Sequence, residues 1–178
     1  MQSKAIRLGQ IAVMTALIIV LGFIPPIPLG VIPVPIVIQN LGIMLAAIIL
    51  GTKNGTFSVW LFLIIGFCGI PVFPGQANGL TVLFSPSGGY VIAWVLTPLL
   101  IGLILKHFNV RSFSMTFITV WLVGVLFTEI LGGCFLSWYT HTSLKADLIA
   151  NLAFIPGDTI KALLASWIGL RIRKIIRI

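Results

Sequence analysis

A carboxylate and an ammonium group, Asp158 and Lys161, stand three residues apart in a largely apolar stretch of the chain. If Pro156 lies in the first turn of a helix, where proline is favoured, these two side chains share one face of that helix. Charged groups within a membrane are costly and generally face the protein interior or a cavity. We therefore expect a site for a polar solute, in which Lys161 attracts a carboxylate and Asp158 accepts hydrogen bonds from N–H groups. An internal ion pair that only neutralises itself is the alternative.

A few uncharged residues are candidates to complete this site. Gln39 stands where a proline-rich segment enters a helix and is expected to line the pocket, whereas its neighbour Asn40 is explained by helix capping. Asn78 can donate and accept hydrogen bonds, although Asn-Gly is also a common turn dipeptide. Four aromatic residues form either the apolar wall of the pocket or an aromatic belt at the membrane interface: Phe73, Phe84, Tyr90 and Trp94.

A second acidic residue, Glu129, lies inside an apolar run and has no partner that the sequence identifies. A lone carboxyl group in such a position is protonated, bonded to a neighbouring hydroxyl, or part of a functional site. The sequence leaves these alternatives open.

The composition of the 178-residue chain is that of an integral membrane protein. Hydrophobic residues make up 59% of it and charged residues 8%, against about 25% charged residues in soluble domains. The mean hydropathy is +1.19. A soluble enzyme and a disordered tail are excluded, and the length predicts one domain over residues 1–178. The net charge of +8 does not indicate a nucleic-acid partner, because the basic residues stand at the ends of apolar runs rather than on a polar face.

Six apolar runs predict an all-α, six-helix bundle in the membrane, with the second and third helices unusually short. Their approximate bounds are 8–24, 37–50, 56–67, 89–105, 113–136 and 148–170. With the N-terminus inside, nine of the eleven basic residues fall on the cytoplasmic side, which places both termini there by the positive-inside rule. These nine are Lys4, Arg7, Lys53, Lys106, Arg111, Arg171, Arg173, Lys174 and Arg177.

Two uncharged connecting segments face the opposite side. Residues 25–36 contain five prolines, and residues 69–90 are rich in glycine, proline and aromatic side chains. Non-helical backbone near a membrane is tolerated only where it is buried in protein or lines a cavity. Together the two segments predict a covered pocket that opens to the outside.

Several function classes lack their signals. The sequence has no Gly-x-x-x-x-Gly-Lys-Ser/Thr loop for ATP, no metal-ligand cluster and no nucleophile–base pair within a span, so an enzyme acting on lipid is disfavoured. We expect no cofactor on this chain. Its two cysteines, Cys68 and Cys134, are expected to be small buried hydrophobes.

Four strings carry a resemblance to a known family. They are Ile-Pro-Val-Pro-Ile-Val-Ile-Gln-Asn-Leu at 32–41, Gly-Ile-Pro-Val-Phe at 69–73, Ser-Pro-Ser-Gly-Gly-Tyr at 85–90 and Phe-Ile-Pro-Gly-Asp-Thr-Ile-Lys at 154–161. In this order they resemble the BioY family, the biotin-specific substrate-binding (S) components of energy-coupling factor (ECF) transporters. Family members often have Gly-Pro-Thr where this chain has Ser-Pro-Ser, and the loop at 74–79 is its own variant.

The resemblance implies a fold, a ligand and partners. It implies a six-helix protein of the bacterial cell membrane that binds biotin near its outer face, with Asp158, Lys161 and Asn78 in the site. It also implies a transmembrane scaffold subunit and two cytoplasmic ATPases, whose ATP hydrolysis topples the S component so that biotin is released inside. The small-residue face of the first helix, with Ala12 and Ala16, is implied to contact the scaffold. An S component for another vitamin, thiamine or riboflavin, is the alternative.

Overall fold

The computed structural model describes residues 3–30, 32–110 and 112–176, and in these ranges the chain is built from helices and their connecting loops. The expected all-α class is confirmed. Two of the basic residues counted above, Arg111 and Arg177, lie outside the described residues. The helices are α1 (Lys4–Gly22), α2 (Gln39–Phe67), α3 (Gly79–Leu83), α4 (Gly88–His107), α5 (Phe113–Val120), α6 (Thr128–Thr140), α7 (Leu144–Ala150) and α8 (Ile155–Ile176).

By length and composition alone, four helical stretches among the described residues are long and apolar enough to cross a membrane: α1, α2, α4 and the continuous segment Phe113–Thr140. That last segment joins α5 to α6 through a π-helical stretch at Trp121–Phe127. A fifth candidate span is a bent pair, Leu144–Ala153 followed by Ile155–Ile175, with 54° between the two parts. The sixth run predicted at 148–170 is thus interrupted, and α8 begins at Ile155 with Pro156 in its first turn. The count of six spans and the cytoplasmic location of the termini stay predictions.

Helix α2 is not straight, because the chain turns back at Gly51. This residue has φ 72° and ψ −172°, a conformation outside the helical region. A Cβ placed on Gly55 would touch the carbonyl oxygen of Ala46, nine residues earlier in the chain. In an unbroken helix these residues would be about 13 Å apart along the axis. The segments 39–50 and 52–67 therefore lie side by side, as expected for two short helices joined near Lys53.

The turn at Gly51 leads to a stability prediction. Its conformation is almost exclusive to glycine, so Gly51→Ala is expected to destabilise the fold by about 1–3 kcal/mol through backbone strain alone. An added Cβ there meets no atom within 4 Å. Gly9, inside α1, has equally open surroundings, and Gly9→Ala is expected to be neutral or slightly stabilising because alanine favours a helix. Unfolding of both variants in detergent micelles measures the difference, and equal stability of the two would contradict the argument.

Basic residues from separate helices share one end of the bundle. A Cβ on Gly102 would lie 2.5 Å from the Cα of Thr52, so the last turn of α4, with Lys106, lies beside the Gly51 turn and Lys53. The cavity described below lies at the opposite end, where α2, α4 and α8 begin.

The outer surfaces of the helices are apolar, which a membrane explains and water does not. Leu8 is 66% exposed, Val13 72% and Trp138 70%. The expectation that Cys68 and Cys134 are buried is wrong, since both are exposed. That expectation rested on the apolar character of their neighbours, and in a membrane-spanning helix apolar side chains cover the outside as well as the core.

Candidate functional site

A cavity lies among the first turns of α2, α4 and α8. It is covered by the proline-rich segment at 25–36 and by the uncharged segment at 69–90, called the long loop below. Its atom-free space is about 700 Å³, a value that includes the part open to the surroundings. Most of the wall is apolar. The polar residues in it are Asn40, Ser85, Ser87, Tyr90, Thr128, Glu129, Asp158 and Lys161.

The pair predicted to recognise a solute, Asp158 and Lys161, lines this cavity. The Lys161 Nζ atom donates to Asp158 Oδ1 over 2.6 Å and to the carbonyl oxygen of Val37 over 2.6 Å. The other carboxylate oxygen, Oδ2, accepts a hydrogen bond of 2.8 Å from Asn40 Nδ2. The pair is therefore an ion pair, as the alternative interpretation required, and its two members also form part of the cavity wall.

Three polar atoms of the wall residues make no hydrogen bond of standard distance and angle in the described part of the chain, although the Tyr90 hydroxyl and the Glu129 carboxyl group are neighbours. The three atoms are Asn40 Oδ1, the Tyr90 hydroxyl and Glu129 Oε2, and all three are buried. A buried polar group left without a partner costs about 1–3 kcal/mol. A ligand with matching donors and acceptors would satisfy these atoms, so the cavity is built for a polar small molecule as much as for an apolar one.

Asn40 and Glu129 extend the site beyond what the sequence predicted. The interpretation of Asn40 as a helix cap is wrong, because α2 begins at Gln39 with Ile38 at the cap position, and the Asn40 amide binds Asp158 instead. No local pattern distinguishes these two uses of an asparagine. Glu129 carried a signal, a carboxyl group inside an apolar run, but nothing in the sequence indicated that it lies at the same cavity as Asp158.

Aromatic rings make up much of the apolar wall. Phe73 and Trp94 lie nearly parallel, with an interplanar angle of 6° and 6.4 Å between ring centroids. Phe62 packs behind Phe73 at 5.0 Å. The rings of Tyr90 and Phe154 meet edge to face at 6.0 Å. Flat rings at these places favour a flat or bicyclic apolar group in the cavity.

Three residues predicted for the site are not in the cavity wall. Gln39 is fully buried, and its Nε2 atom donates to the carbonyl oxygens of Ile18 (3.0 Å) and Val72 (2.9 Å), which ties α1 to the long loop. Asn78 caps α3, because its Oδ1 accepts a hydrogen bond of 2.9 Å from the Thr81 backbone N–H. The Phe84 side chain is 74% exposed. All three belong to segments around the cavity, but the sequence could not show which way their side chains point.

Comparison with known proteins identifies the family. A model of the BioY family matches residues 1–178. The chain belongs to the BioY family. Among BioY relatives, the biotin transporter BioY of Lactococcus lactis subsp. cremoris is 49% identical over 174 residues, which cover 96% of this chain and 92% of that protein. The probable biotin transporter BioY of Bacillus subtilis is 37% identical, covering 95% of this chain and 91% of that protein.

A solved structure agrees with the BioY assignment. A crystal structure of the S-component for biotin from an ECF-type ABC transporter matches with a TM-score of 0.95 and 46% identity. The match covers 98% of this chain and 95% of the other. The resemblance predicted from the four sequence strings is thus confirmed at the level of family and fold.

Proposed function

We propose that this chain is the S component for biotin of an ECF-type transporter, a binding subunit and not an enzyme. The observation that carries the proposal is the cavity in which aromatic rings surround an ion pair and three unpartnered polar atoms. The names of the relatives and of the matching crystal structure support biotin as the ligand. We further propose one domain over residues 1–178, six spans and cytoplasmic termini in the cell membrane.

The chemistry of biotin matches the groups of the cavity. Its ureido ring offers two N–H donors and one carbonyl acceptor, and the unpartnered Asn40 Oδ1 and Glu129 Oε2 are available to accept while the Tyr90 hydroxyl is available to donate. Its valerate carboxylate suits Lys161, whose ammonium has three donors and uses two of them within the described structure. The thioether ring suits the wall of Phe73 and Trp94.

The remaining predicted residues are assigned less direct roles. Gln39 and Asn78 hold the walls in place through their backbone contacts, and Phe84 belongs to the outer surface of the long loop. For transport, we propose a transmembrane scaffold subunit and two cytoplasmic ATPases as partners, with ATP hydrolysed by the latter to topple the chain and release biotin inside. Ala12 and Ala16 are exposed on α1, where small side chains allow close approach of a scaffold helix.

The proposal is tested by ligand identification and titration. The chain purified in detergent is expected to carry biotin, detected by mass spectrometry after denaturation, and the emptied protein to bind added biotin more tightly than thiamine or riboflavin. Biotin methyl ester, which lacks the charge, is expected to bind more weakly to the native protein and to show no such penalty in Lys161→Met. Preference for thiamine or riboflavin would overturn biotin in favour of another vitamin, and chemical conversion of the bound ligand would indicate an enzyme.

A further inference from the structure

A second cavity, separate from the one above, is a groove on the outer surface between the first turns of α1 and the 52–67 segment of α2. Its atom-free space is about 1,130 Å³ including the part open to the surroundings. Lys4, Arg7 and Asn54 line it together with apolar side chains that include Leu8, Phe57 and Ile64. The groove is thus polar at the helix ends and apolar over the rest of its length.

The groove exists because the buried face of α1 is left uncovered near its start. Met14, Ile18 and Gly22 are buried on this face, and the same three- and four-residue spacing continues back to Ile11 and Arg7. A hydrogen bond of 2.9 Å from Thr15 Oγ1 to the Ser58 carbonyl oxygen joins α1 to the 52–67 segment. Before Thr15, Leu8 is exposed and Ile11 is half-buried, and both line the groove, so this part of the face remains open to the surroundings.

The lining has the charge and shape of a site for one kind of molecule. None of its residues is acidic, and its two cationic residues stand together at one end. Trp60, which also lines it, lies six residues after Asn54, or about 9 Å along the helix axis, and its indole N–H donates to the Val95 carbonyl oxygen over 3.0 Å. The indole of Trp60 is therefore held in the apolar wall, about 9 Å from the polar end of the groove, where an acyl chain of a bound lipid would lie.

We infer that this groove binds an anionic phospholipid, with the phosphate headgroup at Lys4, Arg7 and Asn54 and an acyl chain along the apolar wall. Basic residues at the ends of membrane helices attract anionic lipid headgroups, and the apolar part gives the chains a surface to cover. A protein helix is the less suitable occupant, because the small residues that permit close helix approach, Ala12 and Ala16, centre on a direction about 110° around α1 from the centre of the groove lining. The inference depends on the membrane location of the chain and not on biotin.

Quenching of Trp60 by brominated lipid tests the inference. The full-length chain is placed in phosphatidylcholine vesicles containing 10% phosphatidylglycerol, with bromine on the acyl chains of one lipid or the other, and the signal of Trp60→Phe is subtracted. Brominated phosphatidylglycerol is expected to occupy the site at least roughly fivefold more strongly than brominated phosphatidylcholine at low salt, since one basic residue near a membrane surface contributes on the order of a fivefold preference. The preference is expected to disappear in Lys4→Gln/Arg7→Gln.

A matched variant distinguishes a specific lipid site in the groove from general attraction of anionic lipid by the basic residues at this end of the bundle. Arg173→Gln/Lys174→Gln removes two positive charges from the last turns of α8 and is expected to keep the preference. Equal quenching by both lipids, or equal loss in the two double variants, would overturn the inference. Exclusion of brominated lipid from the groove in a complete transporter, with native preference in the isolated chain, would support it as a site that a partner covers later. Biotin affinity, measured on the same samples, is expected to be the same in the native chain and in both double variants, and absence of biotin binding in the native chain would count against the proposed function alone.

Discussion

Asp158→Asn is expected to weaken the proposed biotin binding by 30-fold or more. Asp158 accepts hydrogen bonds from Lys161 through one oxygen and from Asn40 through the other, so it holds two further cavity residues in place. Asparagine keeps its size but removes the charge and one acceptor, and the buried ammonium of Lys161 then lacks its counter-charge. The variant disturbs the partners of two cavity residues, and each buried polar group left without a partner costs about 1–3 kcal/mol. Titration calorimetry in detergent measures the loss.

A double variant separates recognition of the ligand from simple charge neutralisation. Asp158→Asn alone is expected to destabilise the fold by about 3–5 kcal/mol, because it leaves a buried charge unpaired. Asp158→Asn/Lys161→Met removes both charges and is expected to recover much of that stability without recovering binding. Native affinity in the double variant would mean that the pair only neutralises itself. Asp147→Asn is the matched control: Asp147 lies outside the cavity wall, where its carboxylate accepts a hydrogen bond from the Thr142 hydroxyl, and binding is expected to be unchanged.

Phe73→Ala is expected to have the second large effect, on both stability and binding. The Phe73 side chain is 1% exposed and packs between Phe62 and Trp94. Its ring also fills the space beside Gly66, where an added Cβ would touch it. Removing a buried phenyl ring costs about 3–5 kcal/mol, and the proposed ring contact with biotin is lost at the same time.

The control for Phe73 comes from the same loop. Phe84 is 74% exposed, so Phe84→Ala is expected to change the free energy of unfolding by less than about 0.5 kcal/mol and to leave biotin affinity unchanged. Thermal unfolding with and without biotin measures both quantities. Similar losses in the two variants would show that the long loop acts through its overall conformation and not through the packed ring of Phe73.

The parts of the site that the sequence predicted are those in which a residue type conflicts with its surroundings. A carboxylate and an ammonium three residues apart in an apolar stretch are costly to expose to lipid, so they are expected to face a cavity or the protein interior. The structure places Asp158 and Lys161 in the wall of the same cavity. The break near Lys53 was predictable for a similar reason, because two short apolar runs cannot form two regular spans. Phe73 and Phe84 differ in a way that only packing decides, since both are aromatic residues of one uncharged loop.

Other features depend on contacts between distant parts of the chain. Asn40 and Asp158 are 118 positions apart, and their hydrogen bond exists because the first turns of α2 and α8 meet. The π-helical stretch at Trp121–Phe127 has the composition of an ordinary apolar helix. Its neighbour α8 offers one contact that sequence cannot show, the hydrogen bond of 2.9 Å from the Trp121 indole N–H to the Thr159 hydroxyl.

The bond from Lys161 to the Val37 carbonyl oxygen joins the last helix to the end of the proline-rich segment that covers the cavity. The Lys161 ammonium therefore holds this segment in place and also lines the cavity in which the proposed ligand would bind. A ligand that strengthens the contact between Lys161 and Val37 stabilises the closed position of the proline-rich segment. Because coupling between two binding events is reciprocal, the closed position raises the affinity for that ligand by the same factor. Under the proposed function, ligand binding and closure of the proline-rich segment over the cavity are then coupled through the Lys161 ammonium.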